Sequence, residues 1–193
     1  MKLSRRILLG SKSPRRREVL AALEIPFTTV DIECDETYPA TLQGADIPLY
    51  IAKEKAAAYR CKLQPDELLL TADTIVWLDG CVLGKPHDAA DACLMLQRLS
   101  GRTHQVFTGV CLTTVDSQTA FADATDVTFG HLSDNEIEHY VAAFNPLDKA
   151  GAYGVQEWIG YIGCKSINGS YFNVMGLPVH LVYKTLVSLG YLE

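Results

Sequence analysis

The 193-residue sequence has no C-x-x-C pair, no H-E-x-x-H or comparable histidine pattern, no internal repeat and no low-complexity tract. Its six cysteines (34, 61, 81, 93, 111 and 164) are scattered along a chain too long to depend on disulfide staples. This predicts reduced, mostly buried thiols in a cytosolic protein and excludes a structural zinc site built on spaced Cys or His ligands. No apolar run approaches the roughly 18 residues of a membrane span. The stretch Ile7-Leu8-Leu9 is far shorter than the apolar region of a secretory signal, so neither a leader nor a membrane partner is expected. Acid is missing from one end, since the first 17 residues hold Lys2, Arg5, Arg6, Lys12, Arg15, Arg16 and Arg17 with no Asp or Glu.

What is present is a globular composition, 48% hydrophobic and 21% charged, sufficient for one core and a single domain over residues 1–193. The net charge of −6 conceals a segment of +7 on a body of −13. Such a segment suits an anion partner near the N-terminus, although an Arg-rich, acid-poor start also describes a transit peptide and charge runs are usually solvated faces. Gly10, Ser11, Ser13 and Pro14 punctuate it like a folded turn. A body of −13 repels nucleic acid, so no such partner is expected.

Residues 7–9 read as a buried strand and residues 14–23 as a helix, with Ser13 as N-cap and Pro14 at the first helical position. A second helix is predicted over 47–62, with Asp46 as a possible cap and Pro48 in its first turn. Residues 68–72 form an apolar strand running into Asp73-Thr74 and resuming over 75–78. Asp79-Gly80 is a hairpin turn into 81–83. Asp88 and Asp91 open a helix that ends at Ser100-Gly101, followed by strands over 105–115 and 120–129. Ser133 and Glu136 make a capping box for a helix over 134–144. Asn168-Gly169 signals a hairpin, and Pro178 starts a last helix that Gly190 ends. The interleaving indicates an α/β fold with a mixed sheet.

Four places carry candidate chemistry. The segment from Ser11 through Ser13 to Arg15 and Arg16 joins a strand end to a helix N-terminus, where backbone N–H groups, hydroxyls and guanidinium forks suit phosphate oxygens. A serine-proline helix start with exposed arginines fits the same residues. It is not a Walker loop, because the nearest approach, Gly80 to Lys85, lacks the spacing and the final Ser or Thr. Asp73 lies where the pattern predicts burial, so something must compensate its charge: cations, a metal or a water to be activated. An Asp capping a bend beside Thr74 is the bland alternative. Lys55 shares a helix face with Ile51 and Ala58, for which snorkelling is the usual account. Lys85 in its Gly-Lys-Pro loop fits solvation equally, and Glu36 fits either a hard oxygen ligand for Mg²⁺ or surface charge. In the segment from Asp148 to Gln156, Tyr153 offers a stacking face and Gln156 an amide that can pair with a uracil or thymine imide. A glycine-rich turn with an exposed Gln matches the same composition.

In order, the segments Ser11-x-Ser13-Pro14-Arg15-Arg16, Lys53-Glu54-Lys55-Ala56, Ala72-Asp73-Thr74, Gly84-Lys85-Pro86, Leu99-Ser100-Gly101-x-x-His104, Asp148-Lys149-Ala150-Gly151-Ala152-Tyr153-Gly154-x-Gln156, Ile167-Asn168-Gly169-Ser170-Tyr171 and Gly176-Leu177-Pro178 resemble the Maf family of nucleoside triphosphate pyrophosphatases. The resemblance covers almost the whole chain. It implies an elongated, ITPase-like mixed sheet flanked by helices, two lobes around a central cleft, a homodimer, and hydrolysis of a nucleoside triphosphate to the monophosphate and pyrophosphate. The 148–156 segment resembles the branch acting on dTTP and UTP, with modified pyrimidine nucleotides as further candidates. Asp73 matches the family's proton acceptor. Arg15, Thr74 and Gln156 match positions that set substrate choice, and Glu36, Lys55 and Lys85 match other active-site positions. The chain departs from the pattern at Gly10, at Met175 and over residues 158–164, none of them a proposed catalytic group.

These assignments imply Mg²⁺ or Mn²⁺ on Glu36 with Asp73, a polyphosphate held by Ser11, Ser13, Arg15, Arg16, Lys55 and Lys85, and a pyrimidine read by Thr74 and Gln156. The competing reading is a nucleotide-binding regulator of septum formation, which needs the phosphate cradle but neither Asp73 nor a metal.

Overall fold

The computed structural model describes residues 3–193, so Lys2 of the basic segment lies outside the described residues. Seven strands form one mixed sheet: β1 (Arg6–Gly10), β2 (Phe27–Thr29), β3 (Glu67–Leu78), β4 (Cys81–Leu83), β5 (Thr103–Thr113), β6 (Gln118–Phe129) and β7 (Cys164–Asn168). Their order is β2-β1-β3-β5-β6-β7, with β4 paired to β3. β1 is parallel to β2 and β3, whereas β4 is antiparallel to β3 and β7 to β6. The helices are α1 (Pro14–Ala21), α2 (Asp46–Arg60), α3 (Ala89–Leu99), α4 (Asp134–Phe144), α5 (Trp158–Gly163), α6 (Tyr171–Val174) and α7 (Val179–Ser188). The α/β class and mixed sheet are as expected.

Contacts divide the chain into two compact units, residues 3–73, 108–123 and 176–193 in the first and 74–107 and 124–175 in the second. In the first unit, α2 lays Ile47, Ile51, Ala52 and Ala56 on one buried stripe. Leu8, Leu69, Leu63 and Cys111 pack with Ala52 and Ala56 in one core cluster. Gly109 of β5 is what lets this helix approach, since a Cβ there would lie 2.3 Å from the Leu49 backbone nitrogen. In the second unit α3 packs on α4 and α4 on α5. The Asp79-Gly80 turn has both residues at positive φ, 53° and 79°, as a two-residue hairpin between twisted strands requires.

Several caps fall where expected. Ser13 accepts from the Arg16 N–H at 3.4 Å, Asp88 accepts from the Asp91 N–H at 2.8 Å, and the Ser133–Glu136 capping box is complete. Asp46 does not cap α2, because it is already helical and the capping position falls on Ala45 without a side-chain bond. β3 runs unbroken through Asp73-Thr74, so the expected interruption does not exist. Asn168-Gly169 does not turn into another strand. Ser170 takes over as N-cap of α6, and Thr125 Oγ1 accepts the Ser170 N–H at 3.1 Å, diverting the chain into a helix. All six cysteines are free thiols, but only Cys111 is buried, so the expectation of mostly buried cysteines fails. The short β2 and the helices α5 and α6 lie outside the elements expected from the sequence, each being too brief to carry a periodic signal.

Candidate active site

Residues of the first unit converge at the C-terminal end of β1. β1 pairs with β3 as far as Gly10 opposite Thr71, and Asp73 lies two residues beyond on β3. Ligand crevices in α/β sheets lie outside such strand ends. Lys55 on α2 answers the charge problem that Asp73 poses. Its Nζ lies 2.8 Å from Asp73 Oδ1 and 2.8 Å from Glu36 Oε1. The Lys55 and Asp73 side chains are each 12% exposed, against 47% for Glu36. Lys55 therefore does not snorkel. It bridges a buried and an exposed carboxylate, at a depth where breaking the inner pair would leave an uncompensated charge. Ala58, expected on the same face, is exposed.

The turn before α1 is held from within. Ser11 Oγ accepts from the Ser13 N–H at 3.2 Å and from Arg16 Nη1 at 3.4 Å. Arg16 also donates from Nη1 to the Ala72 carbonyl at 2.9 Å and from Nε to the Gly176 carbonyl at 2.7 Å. Arg16 thus ties the loop to β3 and to the start of the last segment. Loss of solvent pulls its pKa below the ordinary value, with Asp73 opposing the shift. The basic N-terminus divides accordingly. Arg5 donates to the Pro65 carbonyl and lies over the Tyr191 ring, and Arg6 pairs with Asp66 at 2.8 Å and Glu67 at 3.1 Å. Lys12 and Arg17 are exposed and Arg15 is half-buried.

Thr74, Lys85 and Gln156 belong to the second unit. Thr74 is half-buried on β3 and Lys85 is exposed. The Gly151 N–H donates to the Gly84 carbonyl at 3.0 Å, which ties the Lys85 loop to the segment carrying Gln156. Gly151 has φ 68°, and a Cβ on it would meet Val76 at 2.9 Å, so glycine is required there on both counts. Gln156 Oε1 is buried without a hydrogen-bond partner. An unsatisfied buried acceptor is costly unless a water or a ligand supplies the donor.

A model of the Maf-like protein family matches residues 6–189. This chain belongs to that family. The Maf-like chain is 59% identical over 185 residues to the dTTP/UTP pyrophosphatase of Phocaeicola vulgatus, covering 95% of this chain and 96% of that protein. It is 58% identical over 184 residues to the dTTP/UTP pyrophosphatase of Bacteroides thetaiotaomicron, covering 95% of each. Among solved structures, the Ham1 protein of Staphylococcus aureus is similar in fold, with a TM-score of 0.57 at 14% identity over 96% of this chain and 100% of that one.

Sequence reasoning missed a second layer around Gln156. Tyr140, fully buried on α4, donates its hydroxyl to Glu157 Oε2 and accepts the Gly154 N–H at 3.1 Å. Glu157 Oε1 lies 3.2 Å from Lys149 Nζ, which pairs with Asp148 at 2.7 Å. His104 Nε2 lies 2.7 Å from the Tyr153 hydroxyl, with Phe129 edge-on to both rings. Burial lowers the His104 pKa from 6.5 to about 4 and raises that of Tyr153, so both are neutral at physiological pH. A tyrosine on the apolar face of a helix was the one available signal, since a buried hydroxyl usually has a partner.

Proposed function

We propose that this Maf-like chain hydrolyses dTTP and UTP between the α- and β-phosphates, releasing the nucleoside monophosphate and pyrophosphate. The observation that carries the reading is the buried Asp73, paired with Lys55 at 2.8 Å beside a strand end and a helix N-terminus. The names of relatives at 58–59% identity support the same substrates. Those names give no support to a nucleotide-binding regulator.

In the proposed reaction Asp73 orients a water and takes its proton as the water oxygen forms a bond to the α-phosphorus. The bond from the α-phosphorus to the bridging oxygen breaks, and the electron pair leaves with pyrophosphate. Lys55 Nζ, 2.8 Å from Asp73 Oδ1, holds that carboxylate in place for the proton it accepts. Arg15 and Lys85 supply positive charge for the polyphosphate, and the Ser11 and Ser13 hydroxyls keep their hydrogens available as donors, work of positioning and electrostatics. Gln156, with Thr74, reads the pyrimidine edge.

Among the described residues no group of three or more His, Cys, Asp or Glu side chains could hold a metal. Two carboxylates that converge on one ammonium nevertheless match the sparse protein share of a Mg²⁺ site, in which phosphate oxygens and waters complete the shell. We therefore assign Glu36 and Asp73 to Mg²⁺ or Mn²⁺. Such an ion lowers the pKa of a bound water and neutralises phosphate charge.

Six free thiols suit the cytoplasm as the compartment. Exposed Tyr161, Ile162 and Phe172 offer apolar area to a second copy in the proposed homodimer, which light scattering on the eluted protein tests. The central test is pyrophosphate release from a panel of nucleoside triphosphates with Mg²⁺ or Mn²⁺. Release from dTTP and UTP well above the other nucleotides is expected, and nucleotide binding without release would overturn the reading.

A further inference from the structure

The residues on either side of Gln156 are held by one hydroxyl. Tyr140 Oη donates to the Glu157 carboxylate and accepts from the Gly154 N–H at 3.1 Å. A phenol has one hydrogen to give, so the two partners fix the direction of both its donor and its acceptor. They are the second residue before Gln156 and the first residue after it. The ring cannot drift, being fully buried and stacked 5.1 Å from Phe144 on the same helix. Glu157 is held from its other oxygen by Lys149 at 3.2 Å, itself 7% exposed. Gly154 closes the arrangement. A Cβ there would meet the Glu157 Cδ at 2.8 Å and the Gln156 Nε2 at 3.0 Å, so the missing side chain is the space the glutamine amide occupies. The result is an amide pressed against a pinned backbone, with its carbonyl oxygen buried and unpartnered.

We propose that Tyr140 is a positioning residue for substrate choice: its hydroxyl, bridging Gly154 and Glu157, sets the direction of the Gln156 amide and so the base that the site accepts. The inference rests on Gln156 as the contact to the base. Tyr140 touches no substrate. It acts through the two neighbours of a residue that does, and its loss should alter discrimination more than the chemical step.

The test compares Tyr140→Phe, Gly154→Ala and Gln156→Ala with the wild type by two measurements. The first is the ratio of kcat/KM for UTP and CTP with Mg²⁺. Tyr140→Phe should lower that ratio about tenfold, the scale of one neutral hydrogen bond between the Gln156 amide and the base, mainly through a higher KM for UTP with kcat changed less. The second is the Gln156 side-chain amide pair in the ¹⁵N–¹H spectrum of the labelled, substrate-free protein, assigned by its disappearance in Gln156→Ala. In Tyr140→Phe that pair should move toward the position of a solvent-exposed glutamine. An amide pair that keeps its wild-type position in Tyr140→Phe overturns the inference, whatever the kinetics. An unchanged UTP/CTP ratio in Gln156→Ala overturns the base contact instead, leaving the positioning of the amide to be decided by the spectrum. Should Tyr140→Phe fail to fold, Gly154→Ala moves the same amide with Tyr140 intact and must show the same two changes, and their absence overturns the inference.

Discussion

Asp73 and Gln156 solve opposite electrostatic problems. In the first unit a buried charge is already answered, with Lys55 at 2.8 Å from both Asp73 and Glu36. In the second unit the Gln156 carbonyl is buried and unanswered, inside a frame whose other polar groups, Tyr140, Glu157, Lys149 and Gly154, all have partners. A carboxylate that must stay ionised to take a proton has to be compensated before substrate arrives. An amide that discriminates between bases gains by being uncompensated, since only the right base supplies the missing donor. On the proposed reading, the contrast separates a place for turnover from a place for choice.

The comparison breaks most sharply at Asp73. Asp73→Asn keeps the shape and a hydrogen-bond acceptor for Lys55 but cannot take a proton, so pyrophosphate release should fall by about 10³ while nucleotide binding, read by thermal shift, persists. Turnover near the wild-type rate would remove Asp73 from the reaction. Gln156→Ala should do the reverse, leaving turnover of UTP measurable while the UTP to CTP ratio of kcat/KM falls by about 10².

A third expectation concerns stability rather than activity. His104 is 1% exposed, and its pKa falls from 6.5 to about 4 on folding. The unfolded chain therefore binds this proton at a higher pH than the native one does. Stability should decline as pH drops from about 6.5 to about 4, by about 3 kcal/mol from this group, and level off below. Urea midpoints measured across that range should show the decline in the wild type and lose most of it in His104→Gln. Equal slopes would mean the ring is not held neutral. The smallest effect belongs to the turn before α1: Ser13→Ala removes the cap on the Arg16 N–H and should cost about 1 kcal/mol of stability in the same urea assay.

Much of the fold is legible in the order of residues alone. Ser13, Asp88 and the Ser133–Glu136 pair are local devices, and each acts within a few residues of itself. Asp73 is legible as a problem, a charge in an apolar stretch, but its solution is not, because Lys55 is 18 residues away and reaches it only once α2 has packed beside β3. The segment 148–156 can be marked as a candidate contact to a base. That Tyr140, on another element, sets the geometry of Gln156 cannot be read from it. Arg16 shows the same limit in the other direction. As one of seven basic residues it resembles a phosphate ligand, and nothing in its spacing shows that its Nη1 and Nε reach the Ala72 and Gly176 carbonyls.

The sequence by itself determined the α/β class, the caps and turns that bound most elements, and the identity of the groups capable of chemistry. All of these follow from spacing along the chain and from what each side chain can donate, accept or bury. Only the tertiary structure decided which charges are answered and which polar atoms are not. Compensation depends on distance in space and on exclusion of water, and both are set by segments far apart in the chain.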